Sequence, residues 1–188
     1  MGMDIYGRNP QLKSNAPEID WTSANEEEQK AYFEHMNEFE KDNPGRYFRA
    51  NLWSWRPIHM LIEHVNQFYN LGIDTSEYGT NSGAGLETQE ECDDLANTLE
   101  YILQSDENME DEGDRVYLHL GMWVNEDGSF LNNEVSEALN SEYEMGTIMY
   151  TPVVTDKGEI VKPAWSTSKE HLEDFIKFLR HCGGFEIW

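Results

Sequence analysis

A chain of 188 residues, 38% hydrophobic and 12% aromatic, can bury a core, and its 6 Trp, 9 Tyr and 8 Phe exclude wholesale disorder. Its 37 acidic residues face only 13 Lys and Arg, and the resulting formal charge of −24 repels nucleic acid and anionic lipid while attracting basic surfaces. No apolar run nears the roughly 20 residues of a membrane helix, and Met1 to Pro10 lacks the basic and apolar stretches of a signal peptide.

These features predict a soluble, cytoplasmic chain forming one α+β domain over 1–188, helix-rich with a small antiparallel sheet or hairpin. Met1-Gly2 is no myristoylation signal, since Tyr6 stands where Ser or Thr is required. Cys92 and Cys182 fall in separate predicted helices and are expected to stay thiols.

In chain order, the first 20 or so residues, with Pro10 and Pro17, read as irregular. Ser23-x-x-Glu26 is a capping box preceding Tyr32, Phe33, Met36 and Phe39 at helical spacing, and Asn43-Pro44-Gly45 ends that helix. The dense apolar stretch Tyr47 to Pro57 follows. Pro57 suits the first turn of a helix whose buried face is Ile58, Leu61, Ile62, Val65, Phe68 and Tyr69, with Gly72 as its cap. After a loop from Asp74 to Leu86, Thr88-x-x-Glu91 opens a helix with Leu95, Leu99, Ile102 and Leu103 inward. The charge run Ser105 to Asp114 reads as a solvated loop. Residues 116–124 alternate as a strand, with a helix as the alternative, and 132–144 read as a short acidic helix. Thr147 to Thr155 and Glu159 to Lys162 form a β-hairpin around Asp156-Lys157-Gly158. Thr167-x-x-Glu170 caps a last helix with Leu172, Phe175, Ile176 and Leu179 on one face, and Phe185 to Trp188 reads as an edge strand.

The chemistry-bearing patterns are thin. His59 and His64 are five residues apart, off the four-residue spacing of a zinc helix, and no other histidine has a ligand partner at suitable spacing. Asp106-x-Asn108-x-Glu110 starts like a calcium loop, but Asp111 replaces the required Gly and Tyr117 the closing Glu. No metal and no cofactor are expected, and no catalytic residue is assigned. Gly83-x-Gly85 resembles a phosphate loop only superficially, because Thr88 holds the third Gly position and no Lys follows. Trp53, Trp55 and Arg56 read first as core, with Arg56 stacked on a ring or paired with a carboxylate. The alternative places a ligand or substrate pocket at Trp53, Trp55, Arg56, His59 and the Asn81–Gly85 loop.

Four stretches carry a resemblance: Met1-Gly2-Met3-Asp4-Ile5-Tyr6-Gly7, the run Gly45 to Pro57 containing Trp53-Ser54-Trp55-Arg56-Pro57, Asn81-Ser82-Gly83-Ala84-Gly85-Leu86, and Phe178 to Trp188 with Gly183-Gly184-Phe185-Glu186-Ile187. Together they resemble a family of uncharacterised bacteriophage and prophage proteins with an MG-x-D-x-YG start, W-x-WRP, an NDGAGL-like loop and a GGF-x-I tail. Ser82 stands where that pattern has Asp. The resemblance implies no activity. It does imply that residues 106–165 are an acidic elaboration, hairpin included, on the family scaffold.

Charge supplies the functional expectation. Residues 86–145 hold 18 acids against one base, Arg115. The expected function is a phage-borne inhibitor, anti-CRISPR-like, whose acidic surface mimics nucleic acid and binds a basic nucleic-acid-binding host protein such as a Cas nuclease. Neither direct nucleic-acid contact nor membrane association is expected. The acidic contributors would be Glu87, Glu90, Glu91, Asp93, Asp94, Asp106, Glu107, Glu110, Asp111, Glu112 and Asp114, with Tyr143, Met145, Met149 and Tyr150 as anchors. The remaining alternative is an accessory phage protein whose acidity only aids solubility.

Overall fold

The computed structural model describes residues 2–105 and 115–188. The charge run 106–114, with Asp106, Glu107, Glu110, Asp111, Glu112 and Asp114, lies outside the described residues. The architecture is α+β, with two antiparallel sheets and five helices among the described residues.

The first sheet has the order β2-β1-β7. Its central strand is β1 (Gly2–Gly7), which pairs with β2 (Tyr47–Asn51) from Gly2↔Asn51 to Tyr6↔Tyr47, and with β7 (Phe185–Ile187) from Ile5↔Ile187 to Gly7↔Phe185. The start of the chain is therefore not irregular, as its prolines suggest, but the middle of a sheet that buries Met3 and Ile5. Nor is β7 an open edge: Phe185 N donates to Leu86 O and Ile187 N to Ala84 O, so the loop before α3 covers its far side.

Helix α1 (Glu26–Asp42) is capped by Asn25, whose side chain accepts from Glu28 N while Glu28 bonds back to Asn25 N. Ser23 lies two residues before the cap position, in a turn over Asp20 to which its hydroxyl and amide both donate. Only Phe39 of the predicted apolar stripe is buried. Phe33 is exposed and packs with Tyr32 against Trp21. Helix α2 (Leu52–Tyr69) starts five residues before Pro57, with Asn51 accepting from Ser54 N, and ends at Asn70 in the left-handed region (φ 55°) rather than at Gly72. Ile58, Leu61, Ile62 and Val65 are buried as predicted, whereas Phe68 and Tyr69 are exposed beyond the last turn that packs.

Helix α3 (Gln89–Ser105) begins at the predicted capping box. Strand β3 (Arg115–Asn125) leads into the second sheet, of order β4-β3-β6-β5, with an irregularity between Leu118 and Trp123. Helix α4 (Asn133–Glu142) is the short acidic helix. The predicted hairpin is present but divided. Strand β5 (Val153–Val154) meets β6 (Ile160–Ser168) around Gly158, while β4 (Ile148–Met149) crosses to pair with β3. Strand β6 runs on to Ser168, and Ser168, not Thr167, caps α5 (Lys169–Leu179) by accepting from His171 N. Thr167 is instead buried within the strand.

One large core gathers Ile5, Trp55, Leu61, Leu95, Leu99, Phe175 and Phe185 among others between the first sheet and α2, α3 and α5. A separate small core holds Trp123, Leu139 and Val161 between the second sheet and α4. Trp165 of β6 links the halves, with Trp53 stacked on it at 4.2 Å and the Arg56 guanidinium 4.5 Å from its ring centre.

Candidate functional site

The carboxylates at the start of α3 divide by what they touch. Glu91 folds back over the helix start, accepting from Thr88 N at 2.9 Å, Thr88 Oγ1 at 2.9 Å and Glu87 N at 3.1 Å. The Thr88 hydroxyl, followed by these amides, holds its carboxyl below the usual range. Glu87 pairs with Arg8 at 3.1 Å, and Asp93 accepts from Gln89 Nε2 at 2.8 Å. Glu90 and Asp94 are exposed and form no ion pair among the described residues. Further along the same helix, Glu100 is paired with Arg180 at 2.7 Å. Of the five described acids proposed on this face, three therefore have partners within the molecule and two are free to meet another.

A second acidic group lies around α4. Glu134, Glu137, Glu142 and Glu144 are exposed and make no ion pair among the described residues. Glu134 and Glu142 stand on one wall of a groove of about 360 Å³ whose other wall is the β5–β6 hairpin, with Asp156, Lys157 and Glu159. Its floor is apolar, formed by Val135, Leu139, Tyr143 and Val153. The sequence expectation did not include this groove. The lysine-free acidity of 126–144 was the available signal, but the hairpin wall comes from a segment that local pattern could not place beside α4.

The four suggested anchors do not share one surface role. Tyr143 and Met149 pack on the small core, Tyr143 against Trp123 at 5.6 Å between ring centres. Tyr150 packs on the large core, and Met145 is 65% exposed. Of these, Tyr143 lines the groove.

The residues of the alternative pocket serve the fold in identifiable ways. Trp55 is fully buried and donates its indole N–H to Tyr78 O at 2.7 Å. The Arg56 cation rests on Trp165, and His59 Nε2 sits 3.2 Å from Thr75 O and 3.4 Å from Glu63. In the Asn81–Gly85 loop, the Gly83 amide donates to Ile187 O, so it is not presented to a phosphate. A side chain at Gly85 would collide with the Phe185 carbonyl, and one at Gly45 with the His181 carbonyl. The glycines here permit backbone to touch backbone where the loop, β7 and the start of β2 meet.

Cys92 in α3 and Cys182, which lies just past α5 rather than within it, are free and fully buried, with their sulfurs 3.5 Å apart. Their mutual hydrogen bond, and then burial, push the Cys182 thiol well above its ordinary pKa, which leaves little nucleophilic thiolate. Among the described residues no group of three or more His, Cys, Asp or Glu side chains is placed to hold a metal ion, and no described helix is long and apolar enough to cross a membrane. No family model, no curated protein and no solved structure matches the chain.

Proposed function

We propose that this chain is a non-enzymatic binding protein that occupies the nucleic-acid groove of a basic protein, acting as a phage-borne inhibitor of a host defence nuclease such as a Cas effector. One observation carries the reading. The exposed acids Glu90, Asp94, Glu134, Glu137, Glu142 and Glu144 lie in a stretch whose only base is Arg115, and they have no ion pair among the described residues. A protein channel built for duplex DNA, with one charge per roughly 1.7 Å of axis, is a strongly positive surface. Unpaired carboxylates are drawn to it quickly and cover it against its substrate. The pairing of Glu87 with Arg8 narrows the surface that faces the partner, moving its weight from the first turn of α3 toward α4.

The test is affinity capture from host cells carrying several nuclease-based defence systems. The control is a variant with Glu90, Glu134, Glu137 and Glu142 changed to Gln and Asp94 to Asn. The wild type is expected to retain a basic nucleic-acid-binding protein that the variant loses, to inhibit its cleavage of DNA, and to release it between about 0.05 and 0.5 M salt. Capture of the same proteins by both chains, or capture without inhibition, would contradict the reading.

A further inference from the structure

The groove between α4 and the β5–β6 hairpin combines three properties. Its floor is apolar, with Val135, Leu139, Tyr143 and Val153, and the exposed methyl of Ala138 lies on the α4 side. Its rim carries the carboxylates of Glu134, Glu142, Asp156 and Glu159 against the single ammonium of Lys157. Its hairpin wall is formed by β5, the outermost strand of the order β4-β3-β6-β5, which among the described residues has a strand neighbour on one side only. Val154 on that strand is 67% exposed.

Each property selects part of a ligand. The floor wants aliphatic surface, the rim wants positive charge, and an edge strand offers main-chain hydrogen bonds to an extended chain. An extended peptide alternates its side chains with period two, so apolar residues can face the floor while lysines or arginines between them reach the rim. We infer that this groove is a docking site for an extended segment of the basic partner in which lysine or arginine alternates with aliphatic residues. The inference rests on the function proposed above and adds the feature that mere acidity lacks. Charge draws any cation near, whereas a dry floor of defined shape distinguishes one basic segment from another.

The test uses the full chain and a fluorescein-labelled heptapeptide that alternates lysine with leucine or valine, read by anisotropy. A second peptide replaces the aliphatic residues with serine. Ala138→Arg adds one positive charge within the groove, and Glu38→Gln changes the net charge by the same amount on α1, away from the acids given a binding role. Because Ala138 is exposed, the variant is expected to fold, and circular dichroism and thermal melting verify this. Glu134→Gln/Glu159→Gln neutralises the rim without adding bulk and serves as the second variant. The wild type is expected to bind the aliphatic peptide on the order of tenfold more tightly than the serine peptide. Ala138→Arg should weaken binding by on the order of tenfold and the rim variant by about threefold, with Glu38→Gln within about twofold of wild type. Equal effects of Ala138→Arg and Glu38→Gln would overturn the inference, as would equal binding of the two peptides or none of either. Capture of the basic partner by the Ala138→Arg chain would then show the function standing without the groove. Groove binding of the peptide with no partner captured from cells would show the reverse.

Discussion

The two halves of the molecule are built on different terms. In the first, β1 is gripped from both sides, the loop before α3 closes over β7, and backbone meets backbone at Gly45 and Gly85 with no room for a methyl group. Phe175, fully buried, touches Phe48, Trp55, Phe178 and Phe185. In the second half a small cluster of three buried side chains, Trp123, Leu139 and Val161, joins the sheet to α4, and an open groove lies beside it. In the closely packed first half the Trp55 indole and the Gly83 amide are spent on the Tyr78 and Ile187 carbonyls, not presented to a ligand. The second half is less densely anchored, and its acids, Glu126, Asp127, Glu134, Glu137, Glu142, Glu144, Asp156 and Glu159, form no ion pair among the described residues. The division suggests a scaffold and a working face.

Substitutions can break that comparison or sharpen it. The largest effect is expected from Phe175→Ala, which should cost about 4 kcal/mol in urea denaturation because its neighbours cannot all move into the space. Gly85→Ala should cost about 3 kcal/mol, since the added carbon meets a carbonyl of β7 and a sheet must shift. Gly158→Ala, at φ +78° with nothing nearby, should cost only about 1 kcal/mol. Leu139→Ala should cost about 2 kcal/mol, less than Phe175→Ala, because α4 can settle toward the sheet. Equal losses from Phe175→Ala and Leu139→Ala would remove the distinction between the halves.

Acidification gives a smaller effect that can be dated by pH. Burial lowers the pKa of His119 in the second half and of His171 in the first below the ordinary 6.5. The unfolded chain therefore takes up more protons below that value. The stability contribution is full above about pH 6.5 and is lost as the pH falls through the lowered folded values. Melting temperature should decline between about pH 7 and 5, and His119→Gln should flatten the decline. The smallest effect belongs to Glu87→Gln. Its side chain is 73% exposed, so losing the contact with Arg8 should change stability by less than about 1 kcal/mol.

The helical stripes were legible because their period is local. Ile58, Leu61, Ile62 and Val65, and Leu172, Phe175, Ile176 and Leu179, all face inward as their spacing dictates. The caps were half legible. Thr88 serves, but Ser23 is held by Asp20 and Thr167 by its place in β6, so neighbouring Asn25 and Ser168 cap instead. Strand β1 was not legible, since Met3 and Ile5 are buried by partners more than 40 and 180 residues away. The same limit hid the groove, whose walls are α4 and a hairpin brought beside it by the second sheet. The clustering of acid was plain in the sequence, while the internal pairing of Glu87, Glu91 and Asp93 depends on Arg8, Thr88 and Gln89 being in reach.

The position of β7 has a consequence for synthesis. The sheet that closes the large core takes its middle strand from residues 2–7 and a flanking strand from residues 185–187, which are synthesised long afterwards. Until residues 185–187 emerge, one side of β1 and the free side of the loop before α3 lack the strand that covers them, and Ile5 and Leu86 stay open to water. The nascent chain must therefore wait, exposed to chaperones and proteases, and closure comes as one late event and not in stages.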